Sequence, residues 1–245
     1  MRDSNKEKIL LINGCSHAAG HEIDGSMDSD YNRQHSFGNI LANKLGRTAV
    51  NISIGGSSNT TISRTTLEWI TQCYNPETTD LMVLVAWTES ARVEAPIDWD
   101  KPYVDPNVDW RASSLTQFLR INLGTPAFTE SEKTEIDFWK KFIPRQHEWL
   151  ELYSLNLILQ LQYFFKMQHI NYLMTNTGYV YKDTKHTNMY HSLIDHSKYK
   201  AADNFGESFY KKYKNLGYVN PKAKWWHHDE IPHALYSDEL YSFVL

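Results

Sequence analysis

A serine and a group of histidines are the residues of this chain whose types and spacing suit nucleophilic chemistry. Ser16 follows an apolar run and a glycine, and His227, His228 and His233 lie within seven residues near the C-terminus. A serine hydroxyl is a poor nucleophile at neutral pH and needs a base within hydrogen-bond reach. Histidine suits this task because its ordinary pKa lies close to neutral pH. The sequence therefore predicts a serine activated by a C-terminal histidine.

The segment before Ser16 predicts the strand that would position it. Residues 9–12 form a continuous apolar run, which is typical of a strand buried on both faces of a parallel sheet. Gly14 lets the chain turn without a Cβ clash. Ligands of open parallel sheets bind beyond the carboxyl ends of the strands. We therefore expect four polar residues at the functional edge, namely Asn13, Cys15, Ser16 and His17.

Two further predicted strands end in small polar residues. Residues 49–54 are followed by a glycine and serine turn, and Thr79–Trp87 is the most apolar segment of the chain. Helices are predicted at residues 36–45 and at Asn59–Cys73, the second capped by Ser58 or Asn59. The alternation of strand and helix predicts an α/β fold with a parallel sheet. The other predictions are a helix at residues 146–168, a strand at 170–175, helices around 189–196 and 205–213, and a terminal helix at 237–245.

Four short blocks resemble the SGNH (GDSL-like) hydrolases, a family of flavodoxin-like α/β/α enzymes that cleave esters and acetyl groups. Residues 14–16 (GCS) resemble the first block, and residues 51–57 (NISIGGS) resemble the second. Residues 86–89 (AWTE) stand where the third block belongs, and residues 229–233 (DEIPH) stand where the last one belongs. NISIGGSSN and the tryptophan-containing third block also resemble SGNH-like proteins of tailed bacteriophages. The resemblance implies a three-layer α/β/α sandwich with a central parallel sheet.

The resemblance also implies a role for each matching residue. Ser16 would be the nucleophile, His233 the base and Asp229 the carboxylate that orients it. The oxyanion would be held by Ser16, Gly56 and Thr88. Four alternatives stay open: His228 or His227 as the base, Gly55 as the glycine donor, and Cys15 as the nucleophile. The implied activity is that of an esterase or deacetylase that cleaves a small or carbohydrate-linked ester through an acyl-enzyme.

Three positions depart from the family pattern. Cys15 stands where the family has an aspartate, and Thr88 replaces an asparagine that donates to the oxyanion. Pro232 occupies the expected place of the histidine, so that His233 comes one residue late. The departures at Thr88 and His233 motivate an alternative to the hydrolase, that of a degenerate member that has kept the fold and serves as a non-catalytic binding or assembly protein.

Other polar side chains at the strand ends are candidates for substrate contact, namely His17, Asn59, Trp87 and Glu89. Residues 96–144 have no clean period until the segment 131–142 and predict an insertion over the active-site rim, in which Trp99 and Trp110 either stack on substrate or anchor the loop. Arg92 and Glu94 either bind an anionic substrate or pair with each other and with Arg64, and pairing is the favoured interpretation.

Composition restricts the partners. The 245 residues are 41% hydrophobic and predict one domain over residues 1–245. With 25 basic and 29 acidic residues and no long basic cluster, nucleic acid is not an expected partner.

Cys15 and Cys73 predict free thiols. The polar N-terminus and the lack of a long apolar run predict a cytoplasmic protein with no signal peptide and no membrane partner.

No cofactor is implied by these residues. The histidines His17, His21, His227, His228 and His233, with Asp24 and Asp229, match no metal-ligand spacing, so no metal site is expected. The expected partner is a small-molecule or glycan ester.

Overall fold

The apolar run before Ser16 forms the second strand from one edge of a parallel sheet. The computed structural model describes residues 6–96, 118–122, 147–178, 184–201 and 207–245, and the single residues 133, 137 and 141. In chain order the elements are β1 (Glu7–Gly14), α1 (Ser16–Ala19), α2 (Asp30–Gln34), α3 (Phe37–Lys44), β2 (Thr48–Asn51), α4 (Asn59–Cys73), β3 (Thr79–Trp87), β4 (Arg92–Pro96), β5 (Phe118–Asn122), α5 (His147–Met167), β6 (Asn171–Asn176), α6 (Lys185–His191), a 3₁₀ turn (His196–Lys198), β7 (Tyr199–Lys200), α7 (Phe209–Asn215) and α8 (Glu230–Val244).

The sheet has the strand order of a flavodoxin-like fold. Five parallel strands lie in the order β2-β1-β3-β6-β7, which is the 2-1-3-4-5 order of that doubly wound class. Leu11 of β1 is in register with Val50 on one side and with Val83 on the other. The predicted α/β class with a central parallel sheet is confirmed. The carboxyl ends of β1, β2 and β3 lie at one edge, where the sequence places its polar clusters.

Alternating strand residues feed two apolar cores, one on each face of the sheet. Leu11 and Val83 belong to the core that α4 and α5 cover, whereas Leu10 and Leu84 belong to the core that α3, α7 and α8 cover. Side chains of successive strand residues point to opposite faces, so a continuous apolar run supplies both cores at once. The result is the predicted three-layer α/β/α sandwich.

Helix α8 begins earlier than predicted, and this changes the setting of the last sequence block. The side chain of Asp229 accepts a hydrogen bond from the backbone N–H of Ile231 at 3.3 Å and caps the helix. Pro232 lies in the first turn, where its missing N–H costs nothing because the first N–H groups of a helix have no intrahelical acceptor. The segment 229–233 is therefore not a loop, and His233 is part of the helix.

Little of the predicted insertion, residues 96–144, falls in the described structure, namely Pro96, residues 118–122 and the single residues 133, 137 and 141. Strands β4 and β5 pair antiparallel, with Arg92 opposite Asn122. Trp99, Trp110 and the rest of the periodic segment 131–142 lie outside the described residues. Both cysteines are free thiols, as predicted, with Cys15 buried and Cys73 exposed. Within the ranges given above, no helix combines the length and the apolar character needed to cross a membrane.

Candidate active site

The chain turns sharply after β1 and brings Ser16 to the carboxyl edge of the sheet. A Cβ atom at Gly14 would lie 2.6 Å from Cβ of Ala18 and 2.9 Å from Cβ of Ala86, so only glycine lets the turn pack this closely against β3. Ser16 opens the short helix α1, which ends at Gly20 in the left-handed conformation with φ +79°. Ser16 is 8% exposed, so the nucleophile candidate lies just below the surface of this edge.

The turn after β2 packs against a histidine that follows α1. A Cβ atom at Gly55 would lie 2.3 Å from Cε1 of His21, so the imidazole rests directly on the glycine backbone. The neighbouring Gly56 is exposed and has φ +75°, a conformation that favours glycine. The second predicted block is thereby held next to the segment that carries Ser16.

A buried carboxylate and a buried imidazole form a short polar contact at this edge. Oε2 of Glu22 lies 2.6 Å from Nδ1 of His227. The two oxygens of Glu22 also accept backbone N–H groups, from Lys224 at 2.7 Å and from Trp225 at 2.9 Å. Glu22 is 1% exposed and His227 is 7% exposed. This pair was not predicted from the sequence.

Backbone strain accompanies this pair on both sides. Glu22 has φ +62°, and Trp226, the residue before His227, has φ +69°. Non-glycine residues rarely adopt this left-handed region, and such outliers cluster at functional sites. The fold therefore holds Glu22, and the residue before its partner His227, in backbone conformations that the free chain disfavours.

The pKa shifts fix the charge state of the pair. Burial raises the pKa of Glu22, but the hydrogen bonds from His227 and from two backbone N–H groups outweigh it, so the pKa lies below its ordinary value. Burial lowers the pKa of His227 below its ordinary value, although the hydrogen bond to Glu22 acts in the opposite direction. Near neutral pH the carboxylate is ionised and the imidazole is neutral. Because an ionised carboxylate only accepts hydrogen bonds, Nδ1 carries the proton and Nε2 is left as the basic nitrogen.

Two further histidines surround the ring of His227. The ring centroid of His17 lies 4.9 Å from that of His227, and the centroid of His21 lies 5.9 Å away. Tyr210 stacks on His17 at 5.7 Å with an interplanar angle of 28°. Burial is the main cause that lowers the pKa of His17 well below its usual value and that of His21 to about 4. The cluster is therefore uncharged near pH 7, and its position brings His227 next to the residue that follows Ser16.

His233, the predicted base, lies in a different environment. Its Nδ1 accepts a hydrogen bond from the backbone N–H of Phe37 at 3.2 Å, and its ring stacks on Phe37 at 5.7 Å with an interplanar angle of 11°. Phe37 is the first residue of α3, whose N-cap residue Ser36 makes no side-chain capping bond. Nε2 of His233 is buried without a hydrogen-bond partner in the described structure, and burial lowers its pKa to about 3. This environment favours a structural role, that of a cap for α3.

The other C-terminal candidates are also engaged. Asp229 caps α8, and Nε2 of His228 lies 3.0 Å from the backbone carbonyl of Tyr210, to which it can only donate. Burial lowers the pKa of His228, although that hydrogen bond and the charge of Asp229 act in the opposite direction. His228 therefore connects α7 to the segment before α8. Of the three candidate bases, His227 is the one whose described contacts include a carboxylate.

The third strand end is held by Asn59. Its side chain accepts from the backbone N–H of Thr88 at 2.8 Å and donates to the carbonyl of Thr88 at 3.1 Å and to Ser154 at 3.0 Å. The hydroxyl of Thr88 is buried with no hydrogen-bond partner within the described ranges. Trp87 is fully buried in the core under α4 and α5, and Glu89 pairs with Arg92 at 3.2 Å. Asn59 thus fixes the end of β3 by hydrogen bonds, and Trp87 anchors it in the core.

Glu22 is the residue that the motif interpretation missed. In the SGNH pattern two residues separate the aspartate from the histidine, which for His227 points to position 224. A lysine stands there, so a carboxylate for His227 has to come from elsewhere in the chain. Glu22 lies six residues after Ser16, and nothing local in the sequence pairs it with a histidine 205 residues away.

Comparisons with known proteins give similarities of structure. No family model and no curated protein matches this sequence. Similar solved structures include a carbohydrate esterase family 2 enzyme from Corynascus thermopiles (Myceliophthora fergusii), with a TM-score of 0.49 and 10% identity over 100% of this chain and 68% of that one. An acetyl xylan esterase from Butyrivibrio proteoclasticus gives 0.44 and 14%, over 97% and 63%. A Desulfitobacterium hafniense protein assigned to the lipolytic G-D-S-L family gives 0.45 and 10%, over 98% and 99%.

These structural neighbours are of the esterase type whose family the sequence resembles. The chain spans 66% of the length of another carbohydrate esterase that it matches, and 63% of the acetyl xylan esterase. Because the TM-scores lie below 0.5 and the identities are 10–14%, the likeness concerns the overall fold and assigns no role to any residue.

Proposed function

We propose that this protein is a serine hydrolase that cleaves an ester through an acyl-enzyme, with Ser16 as nucleophile, His227 as general base and Glu22 as the carboxylate that orients it. The observation that carries the proposal is the 2.6 Å contact between Glu22 and Nδ1 of His227. It fixes the tautomer in which Nε2 accepts a proton, at the edge of the sheet where Ser16 lies.

The reaction follows from these roles. Oγ of Ser16 attacks the ester carbonyl while Nε2 of His227 takes the hydroxyl proton. The proton then passes to the leaving alcohol, and a C–O bond of the ester breaks to give the acyl-enzyme. A water molecule attacks the acyl group with His227 again as base, and release of the acid restores Ser16. Glu22 stays ionised and stabilises the imidazolium that forms in each step.

Backbone donors suit the oxyanion better than the Thr88 side chain does. The backbone N–H groups of Ser16 and Gly56 belong to the two turns that His21 and Gly55 pack together. The Thr88 hydroxyl is shielded by its surroundings, and its backbone N–H is taken by Asn59. We therefore assign the oxyanion hole to Ser16 and Gly56, with Thr88 as a residue of the supporting edge.

Two exposed tryptophans beside the base support a carbohydrate-linked ester as substrate. Trp225 is 51% exposed and Trp226 is 74% exposed, and both directly precede His227. Trp226 also has the strained backbone conformation described above. Large aromatic faces held at the rim of a polar site suit stacking on a sugar ring. A small or carbohydrate-linked ester is the proposed substrate class.

The test is hydrolysis of a panel of short-chain 4-nitrophenyl esters by the wild type, Ser16→Ala and His227→Ala, with mass spectrometry after fluorophosphonate treatment. We expect turnover and a single adduct on Ser16 in the wild type. Both variants should lose turnover by at least about 10³-fold, because nucleophile and base act as one unit. Ser242→Ala, which removes a serine on α8 whose described hydrogen bond is to the carbonyl of Asp238 in the same helix, serves as the matched control. Full activity of Ser16→Ala would overturn the assignment.

One observation favours a second candidate function. With the Thr88 hydroxyl buried, the site has fewer oxyanion donors than the family pattern provides, and loss of one donor can cost about 2.7 to 4 kcal/mol in the transition state. A non-catalytic binding protein of the same fold would show no turnover and no fluorophosphonate adduct. It would still bind the ester panel, with the same affinity in the wild type and in Ser16→Ala.

A further inference from the structure

We propose that Arg92 binds an anionic group of the substrate, so that the preferred ester carries a carboxylate or a phosphate near the bond that is cleaved. This inference rests on the proposed function, because it names the substrate class of the same site. The guanidinium group of Arg92 is largely buried at the functional edge, and only part of it is hydrogen-bonded.

Arg92 is the first residue of β4 and follows the end of β3, at the carboxyl edge of the sheet, by five residues. Its backbone N–H donates to the carbonyl of Glu89 at 3.3 Å, which closes a tight turn four residues after Thr88. The turn lies against the end of β6, since a Cβ atom at Gly178 would be 3.5 Å from Cγ of Glu89 and 3.6 Å from Oγ1 of Thr88. The turn that begins β4 and carries Arg92 thus lies at the edge that carries Ser16 and the histidines.

The guanidinium is paired on one side only. Its Nε donates to Oε2 of Glu89 at 3.2 Å, and the Glu89 side chain is 47% exposed. Nη1 is buried, and within the described part of the chain it has no hydrogen-bond partner. Only 17% of the Arg92 side chain is exposed, so water has limited access to this edge of the guanidinium. A buried cationic donor without an acceptor is costly, and a bound oxyanion would satisfy it.

The other acid nearby is paired through one of its two oxygens. Glu94, two residues further along β4, forms an ion pair through Oε1 with Arg64, which also pairs with Glu68 at 2.8 Å. Oε2 of Glu94 is buried with no hydrogen-bond partner in the described structure, and the described ion pair of Arg92 is with Glu89. The planar fork of a guanidinium matches the two oxygens of a carboxylate or phosphate, and this geometry suits recognition of either anion.

The positive charge of Arg92 influences the pKa of the proposed catalytic histidine. It contributes to lowering the pKa of both His17 and His227, after the larger effect of burial. An anion held by Arg92 would therefore lie close enough to influence both rings.

The segment that leads to His227 is rich in lysine, although the chain as a whole has a net charge of −4. Residues 208–228 contain no acidic residue and five lysines, of which Lys212 pairs with Glu239 at 2.7 Å and the others are Lys211, Lys214, Lys222 and Lys224. The ammonium group of Lys214 lies 5.5 Å from the ring centroid of Tyr210, which stacks on His17. A local excess of positive charge beside the site would raise the local concentration of an anionic substrate.

Direct binding tests the inference without requiring catalysis. In the Ser16→Ala background, the ring resonances of His17 and His227 are followed by NMR during titration with sodium acetate and with sodium phosphate at constant ionic strength. We expect saturable shifts and a dissociation constant that rises at least tenfold in Arg92→Gln. Lys44→Gln is the matched control, because it removes one positive charge at the end of α3 next to the amino ends of the strands. The tighter of the two anions identifies carboxylate or phosphate as the substrate group.

Kinetics with a matched ester pair separates this inference from the proposed function. The pair is 4-nitrophenyl hydrogen adipate and its methyl ester, which differ by one negative charge. We expect the wild type to prefer the anionic ester by about tenfold in kcat/KM, and Arg92→Gln to lose the preference while its circular dichroism is unchanged. If neither ester is hydrolysed but acetate or phosphate still binds through Arg92, the hydrolase assignment fails and the anion site stands. If both esters are hydrolysed equally and Arg92→Gln binds both anions as tightly as the wild type, the anion site is overturned.

Discussion

Glu22 and His227 lie 205 residues apart in the sequence and 2.6 Å apart in the fold. The segment around His227 docks onto Glu22 through several bonds at once. Asn220 donates to the backbone carbonyl of Glu22 at 2.7 Å, and the N–H groups of Lys224 and Trp225 bind its carboxylate. In the proposed mechanism the orienting carboxylate therefore comes from the segment that follows Ser16, and the base is positioned only when the C-terminal segment is in place.

Glu22→Gln is expected to lower kcat/KM for ester hydrolysis by about 10²- to 10⁴-fold, with KM changed far less than kcat. The neutral amide cannot stabilise the imidazolium, and its N–H₂ group can turn the imidazole to the wrong tautomer. The measurement is steady-state kinetics on the most active nitrophenyl ester. Glu7→Gln, an exposed carboxylate at the amino end of β1, is the control and should keep wild-type rates. Equal rates for Glu22→Gln and the wild type would remove Glu22 from the mechanism.

His227→Ala and His233→Asn are expected to differ in activity rather than in stability. His227→Ala should abolish turnover and also lower the free energy of unfolding by about 1 to 3 kcal/mol, because it leaves the buried carboxylate of Glu22 without its imidazole partner. His233→Asn should keep most of the turnover and lower the free energy of unfolding by about 1 to 3 kcal/mol, because it leaves a cavity between Phe37 and Phe209. Nitrophenyl ester kinetics and urea unfolding, measured on both proteins, give the two quantities. The sequence-based ranking, with His233 as the base, predicts the opposite pattern of activity.

The sequence predicts the scaffold of this site better than its contacts. The run at residues 9–12 and the segment Thr79–Trp87 give the two central strands, because a strand buried on both faces is apolar throughout. The choice among the C-terminal histidines depends instead on where a helix begins. Asp229 caps α8, and the single turn that follows carries His233 into the core. The partner of His227 is set by a contact across the whole chain, which no local pattern records.

Acid is expected to destabilise the protein through His233 in particular. Burial lowers its pKa to about 3 in the folded state, against about 6.5 in the unfolded chain. Below pH 6.5 the unfolded chain therefore binds a proton at His233 that the folded chain does not bind. The free energy of unfolding decreases as the pH falls from 6.5 towards 3. His233→Asn removes this group, so the stability advantage of the wild type over His233→Asn should shrink by about 2 to 3 kcal/mol between pH 6.5 and pH 4.5.

Urea unfolding of both proteins at several pH values measures this difference directly. The comparison cancels the other histidines, which both proteins share. A difference in the free energy of unfolding that stays constant over this range would mean that His233 titrates alike in the folded and unfolded chains. The buried capping role of His233 would then be wrong.

Gly55→Ala is expected to act through His21. Gly55 does not use the left-handed backbone region, so alanine fits its conformation, but the new Cβ atom would lie 2.3 Å from Cε1 of His21. The imidazole has to move, and overpacking of this kind costs about 1 to 3 kcal/mol of stability. The movement also disturbs the ring contact between His21 and His227, so ester hydrolysis should fall in the same variant.

The double variant Gly55→Ala/His21→Ala gives the decisive comparison. Removing the imidazole makes room for the new methyl group, so the double variant should be more stable than the sum of the two single changes predicts, by about 1 kcal/mol or more. His21→Ala alone sets the baseline for the lost ring. Additive losses of stability would show that the alanine at position 55 acts elsewhere. The contact between the turn after β2 and the segment after Ser16 would then not be what holds the two parts of the proposed oxyanion hole together.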